Sequence, residues 1–177
     1  MNVLPNHLPA IVTMGVSGSG KTTVGEVLAA RLGVPFRDAD EFHPYANVQK
    51  MSAGVPLDDE DRIPWLDAIG RAIRDADPSR PIVVSCSALK RSYRERIRML
   101  AGRPVDFVFL HGPREILRQR MGGRKGHFMP ASLLDSQLAT LEMPGADEEA
   151  LAVSIDQSVS AIVEEVLGAL ARDGVRA

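Results

Sequence analysis

The chain reads as an α/β protein built on a parallel sheet, and three observations predict it. Short apolar runs at residues 11–14, 35–37, 82–86, 105–110 and 151–155 alternate with helical patterns, the order left by strands joined through crossover helices. The runs are continuously apolar, as strands covered on both faces are. A glycine-rich loop separates the first run from the first helix, so a helix N-terminus opens directly off a strand end.

Each element has its own signal. Val24, Val27, Leu28 and Leu32 recur at helical spacing over residues 21–32, and Gly33 is a natural C-terminal stop. Further helices are expected over 64–75, 89–100, 114–121, 131–141 and 158–171. The last carries Val159, Ile162, Val163, Val166, Leu167 and Leu170 on one stripe. Two segments break the rhythm. Residues 38–64 form a polar, turn-rich insertion punctuated by Pro44, Gly54, Pro56 and Pro64, placed after the second strand at the sheet edge where open parallel sheets bind ligands. A second segment, about residues 121–135, opens with three glycines and the cations Arg124 and Lys125, the composition of a phosphate-facing lid. At 177 residues, one domain spanning 1–177 is expected.

Composition narrows the function. A net charge of −2 and 5% aromatic residues leave no broad basic footprint for nucleic acid, despite the cations clustered between Lys90 and Arg103. No apolar run approaches the length of a membrane helix, and residues 1–5 lack the flank of a signal peptide. The one cysteine, Cys86, cannot form an internal disulfide, so a cytoplasmic setting is expected.

The chemistry is concentrated at Gly15-Val16-Ser17-Gly18-Ser19-Gly20-Lys21-Thr22, which fits the phosphate loop G-x-x-x-x-G-K-[ST]. Its glycines let backbone N–H groups of Gly15, Ser17, Gly18, Ser19 and Gly20 turn toward an anion. Lys21 reaches the outer phosphates, the Thr22 hydroxyl suits Mg²⁺, and Thr23 lies in the same first turn. No Asn/Thr-Lys-x-Asp tetrapeptide for guanine exists, and the third strand runs into Cys86-Ser87 without a Walker-B aspartate. The pair Asp38-Ala39-Asp40 after the second strand is the replacement, one carboxylate near Mg²⁺ and the other facing a second substrate.

From here the chain resembles a known family. Asp38-Ala39-Asp40 with Phe42-His43-Pro44, Asn47, Lys50-Met51, Gly54, Pro56-Leu57, Asp59, Asp61-Arg62 and Pro64-Trp65-Leu66 is similar to the signature block of the phosphate-loop gluconokinases. So are Cys86-Ser87-Ala88-Leu89-Lys90 with Tyr93-Arg94, the segment Arg124-Lys125-Gly126-His127-Phe128, and Leu141-Glu142 with Pro144-Gly145-Ala146-Asp147-Glu148. The resemblance implies the phosphate-loop kinase fold shared with shikimate kinases, its five-stranded sheet ordered 2-3-1-4-5, and transfer of phosphate from ATP, with Mg²⁺, to the 6-hydroxyl of D-gluconate. A kinase for shikimate or another small acid, and a non-catalytic nucleotide binder, are the rival readings. A homodimer is compatible with the resemblance.

The task assigns roles. Asp40 is the expected base that orients the attacking hydroxyl, and Asp38 is placed nearer Mg²⁺, the reverse order remaining open. His43 and Asn47, four apart, share a face if Pro44 opens a short helix. Arg62, Lys90 and Arg94 form the pool from which the gluconate carboxylate draws its cation, Lys90 and Arg94 on one helical face. The resemblance adds His127 to the substrate side and makes Arg120 and Arg124, with Lys21, the clamp on the transferring phosphoryl group. Gln157, in the turn after the fifth strand, is the candidate at adenine. Trp65 and Phe42 are expected to pack rather than stack on a ligand.

Overall fold

The computed structural model describes residues 9–123 and 131–173. Five strands pair in parallel in the order β2-β3-β1-β4-β5, as the resemblance implies. In chain order the elements are β1 (Ala10–Met14), α1 (Lys21–Leu32), β2 (Phe36–Asp38), a 3₁₀ turn (Ala39–Phe42), α2 (Tyr45–Ser52) and α3 (Asp59–Asp75). Then follow β3 (Val83–Ser85), α4 (Arg91–Ala101), β4 (Val105–His111), α5 (Arg114–Gly122), α6 (Ala131–Thr140), a second 3₁₀ turn (Ala146–Glu148), β5 (Leu151–Ser154) and α7 (Val159–Asp173).

The continuous apolar runs are explained by two cores, one on each face of the sheet. Successive side chains of a strand point to opposite faces. Val12 and Met14 of β1 and Phe107 and Phe109 of β4 therefore pack with Trp65, Ile69 and Ile73 of α3 and Ile97 of α4. Ile11 of β1 and Val108 and Leu110 of β4 pack on the other face with Leu28 of α1, Leu134 of α6 and Ile162, Val163 and Val166 of α7. The central strand β1 delivers the phosphate loop at its carboxyl end, and β2 delivers Asp38 beside it. No helix among the described residues is long and apolar enough to cross a membrane.

Three boundaries differ from the sequence reading for identifiable reasons. Helix α3 starts at Asp59, not at Pro64, because Asp58 and Asp61 form a reciprocal capping box and three acids occupy its first turn. Pro64 is carried inside the helix, where it forfeits one backbone bond. Helix α4 begins at Arg91, since Ala88 takes a left-handed turn (φ 44°) and Lys90 is an extended N-cap. The second strand lies one residue later than expected, which brings Asp38 into the sheet opposite Ser85.

Candidate active site

The loop after β1 is an anion cradle by construction. Gly20 caps α1 in the left-handed conformation (φ 85°), with no side-chain cap and no acid in the first turn. The N–H groups of that turn have no helix carbonyl to meet, and the helix dipole favours an anion in front of them. Gly18 is left-handed as well (φ 83°), and a Cβ there would stand 2.7 Å from the Leu117 carbonyl oxygen of α5. Thr13 of β1 holds the loop from beneath, its hydroxyl donating to the Lys21 carbonyl at 2.8 Å. Ser19 is buried within the loop and Thr23 is exposed beyond it. Arg120 of α5 donates to the Ile155 carbonyl at 2.8 Å, and its other terminal nitrogen lies 3.5 Å from where a Cβ of Gly20 would be.

Beside the cradle, the Thr22 hydroxyl lies 3.4 Å from Asp38 Oδ2. A hydroxyl and a carboxylate facing one another next to a phosphate site are the hard oxygen donors Mg²⁺ takes, with phosphate and water completing its shell. The donor set fits that ion. Among the described residues no group of three His, Cys, Asp or Glu side chains offers an alternative metal centre. The other oxygen of Asp38 accepts from the Asp40 N–H at 2.9 Å, so the Asp-x-Asp pair opens a 3₁₀ turn and leaves the Asp40 carboxylate exposed.

Cys86, which follows β3, registers how closely these charges gather. Burial, helped by Asp40 and Asp38 and opposed by the Ala88 N–H and Lys21, pushes its thiol up to about 12. A thiol so shifted is almost wholly protonated at neutral pH and unreactive. Iodoacetamide at pH 8 is therefore expected to leave Cys86 unlabelled in the native protein and to alkylate it in guanidinium, as read by intact mass.

The insertion forms the opposite wall. Pro44 does open a helix, but His43 stays outside it in extended backbone. The expected pair still meets: Asn47, itself buried, donates to the Asp61 carbonyl at 2.8 Å and reaches His43 Nδ1 at 3.4 Å. His43 stacks on Trp65 with ring centroids 4.4 Å apart, and Trp65 Nε1 donates to the Ala39 carbonyl at 2.7 Å, so Trp65 packs as expected. Burial lowers the His43 pKa from its ordinary value, with Asp40 raising it and Arg62 lowering it. The ring is thus neutral at physiological pH, in the field of both charges.

The cation pool is divided. Lys90 donates to both oxygens of Asp59 at 3.0 and 2.9 Å, and Tyr93 donates its hydroxyl to the same carboxylate. Arg62 donates to the Tyr93 oxygen at 3.2 Å and lies 4.0 Å from Asp59. Arg62 and Lys90 therefore converge, joined by Asp59 and Tyr93, two motif residues whose role is not evident from the sequence. Tyr93 and, after it, Lys90 hold the Asp59 carboxyl below the usual carboxylate range.

Arg94 departs from the expectation. It does not share a face with Lys90, because Lys90 lies outside the helix. Its side chain is wholly buried, paired with Glu148 at 2.7 and 3.0 Å, and it donates to the Ala88 and Leu89 carbonyls at 2.9 and 3.2 Å. A guanidinium so fully engaged is a brace for the turn before α4, not a ligand for a solvent-borne carboxylate. Gln157 is likewise committed: its amino group donates to the Ser154 carbonyl at 2.9 Å and to Glu165 at 3.0 Å, which suits a turn clasp rather than a base reader. Arg124 and His127 lie outside the described residues, with the 124–130 part of the expected lid. The cations of α4 pair with acids, Arg91 with Asp147, Arg96 with Asp67 and Arg98 with Glu148, which leaves no basic stripe on that helix.

Comparison with known proteins agrees with this geometry. The shikimate kinase family model matches residues 17–171. A gluconokinase of Gluconobacter oxydans (strain 621H) is 49% identical over 158 residues, covering 89% of this chain and 88% of the relative. A probable gluconokinase of Xenopus tropicalis is 46% identical over 179 residues, 92% of this chain and 93% of the relative. The crystal structure of a gluconokinase from Sinorhizobium meliloti 1021 superposes with a TM-score of 0.86 at 50% identity, over 95% of this chain and 94% of that one. With its phosphate cradle, its Asp-x-Asp turn and these relatives along nearly its whole length, the chain belongs to the gluconokinase family, on the shikimate-kinase type of phosphate-loop fold.

Proposed function

We propose that this protein transfers the terminal phosphoryl group of ATP to the 6-hydroxyl of D-gluconate, giving 6-phospho-D-gluconate and ADP. The observation that carries the reading is the meeting of Thr22 with Asp38 at 3.4 Å, which sets the Asp-x-Asp turn against the phosphate cradle. Asp40 orients the 6-hydroxyl and takes its proton as the new P–O bond forms and the bond to the β,γ-bridging oxygen breaks, the electron pair leaving with ADP. In so loose a transition state the carboxylate works chiefly by aiming the nucleophile. Lys21 and Arg120 lie where negative charge gathers on the phosphates. Thr22 and Asp38 would hold Mg²⁺, which when bound neutralises phosphate charge.

On the substrate side, His43 and Asn47 suit the hydroxyls of an open-chain polyol, since a neutral imidazole offers one donor and one acceptor. Arg62 and Lys90 supply the positive end, and the gluconate carboxylate competes with Asp59 for them. Arg124 and His127 keep the roles the family resemblance gives them, at phosphate and substrate. The cytoplasmic setting expected from the single cysteine is part of the proposal.

The test is ADP release measured by a coupled assay across a panel of sugar acids, with shikimate and nucleoside monophosphates as controls. Turnover with gluconate and not with shikimate is expected. Turnover with shikimate alone would replace the proposal with its nearest rival, and nucleotide binding without turnover on any acid would leave a regulatory binder.

A further inference from the structure

The phosphate loop has a partner that neither the motif nor the reaction assigned. The N–H of Ser17 donates to Gln137 Oε1 at 2.6 Å, a contact spanning 120 residues between the start of the loop and the middle of α6. A backbone N–H can only donate, so the carboxamide oxygen is necessarily the partner, and the amino group on the same planar amide is left to donate elsewhere. Among the described residues that amino group makes no hydrogen bond, although the side chain is half-buried. A half-buried amide beside an anion cradle, its amino group without a partner among the described residues, has an evident use.

Position along the loop selects the phosphate. Thr22 and Thr23 lie in the first turn of α1, at the far end, and Lys21 reaches the outer phosphates. Ser17 lies at the opposite, strand-side end of the loop, ahead of the left-handed Gly18 and Gly20. The wall on this side is made by α5 and α6 together. Leu117 and Met121 of α5 crowd Gly18, Arg120 stands by Gly20, and Gln137 of α6 closes on Ser17.

From this arrangement we infer that Gln137 is a ligand of the terminal phosphate: Ser17 fixes its oxygen, and its amino group donates to a γ-phosphoryl oxygen of the bound nucleoside triphosphate. The inference rests on the kinase reading and deepens it, because it distinguishes triphosphate from diphosphate. A carboxamide suits the place in a way a carboxylate does not, since Glu would accept from Ser17 equally well yet carry an anion against the phosphate.

The experiment is calorimetric titration of the full chain with Mg²⁺ and either ADP or the β,γ-imido analogue of ATP, for wild type, Gln137→Ala and Gln137→Glu. Loss of one charge-assisted hydrogen bond should weaken the triphosphate analogue about tenfold in Gln137→Ala and more in Gln137→Glu, with ADP affinity unchanged. Gln137→Glu keeps the contact with Ser17, so its Tm should match wild type, and it carries the test if the alanine variant folds poorly. Equal weakening of both nucleotides would mean that Gln137 only shapes the loop and would overturn the inference; so would no weakening of either. A wild type that binds neither nucleotide would overturn the kinase reading first and this inference with it.

Discussion

Replacing Asp40 by Asn is expected to lower kcat with gluconate at least about 100-fold, the low end of what a positioned general base contributes, while ATP affinity stays at the wild-type level. The substitution is clean for structural reasons. The Asp40 N–H, not its carboxylate, makes the 2.9 Å bond that opens the 3₁₀ turn, and the side chain is exposed, so the variant keeps the turn and loses only the charge and the basic oxygen. Asp38 offers the contrast. Its two oxygens face the Thr22 hydroxyl and the Asp40 N–H, so Asp38→Asn disturbs the proposed Mg²⁺ position and the turn together. It should therefore raise the KM for ATP as well as lower kcat. Steady-state kinetics of the two variants with each substrate varied separates the roles. Near-normal turnover in Asp40→Asn with collapse in Asp38→Asn would hand the hydroxyl to Asp38 and exchange the assignments.

What the sequence made legible and what it hid divide along the distance between partners. The phosphate loop is a local object: strand, glycines, lysine and helix follow one another within a dozen residues, and each requirement is visible in the residue that meets it. The parallel class was legible for a similar reason, because burial on both faces removes the polar alternation that a one-sided strand keeps. Helix starts were less so. The Asp58/Asp61 box was in plain view, yet the prolines at 56 and 64 suggested a broken segment, and only the packing of Trp65, Ile69 and Ile73 against the sheet makes carrying Pro64 inside α3 worthwhile. Roles that depend on a partner far along the chain were hidden. Nothing around Arg94 announces that Glu148 will meet it, and nothing around Gln137 points to Ser17. The block Leu141–Glu148 illustrates the cost, since the motif marks it without a chemical reason. In the structure the reason is mechanical: Glu142 accepts from the Arg91 N–H at 2.8 Å and donates its own N–H to Leu89 at 2.8 Å, capping α4, while Glu148 receives Arg94.

That buried pair is the other place where one substitution should have a large effect. Arg94 and Glu148 are 0% and 3% exposed at their side chains, and Glu148 also accepts from the Gly145 N–H at 2.9 Å. Removing one partner strands the other charge in the core, so Glu148→Ala and Arg94→Ala should each cost about 3–5 kcal/mol, against about 1 kcal/mol for a typical substitution. For a chain of this size that lowers Tm by roughly 10 °C, readable by scanning calorimetry. The pair also carries a pH signature. Arg94 lowers the Glu148 pKa below its ordinary 4.5, so the folded protein holds fewer protons here than the unfolded one. The stabilisation is therefore full above that ordinary value and is lost as pH falls through the lower folded value. Glu148→Gln should flatten this part of the acid limb of the stability curve, and an unchanged limb would mean that other carboxylates govern it. The consequence reaches the site as well. Arg94 holds the carbonyls of Ala88 and Leu89, and so sets the left-handed turn that presents Lys90 to Asp59 and Arg62. Arg94→Lys keeps the charge but cannot form the fork that grips Glu148 and both carbonyls at once. It is expected to raise the KM for gluconate more than the KM for ATP, because the brace supports the carboxylate side of the pocket and leaves the phosphate cradle alone.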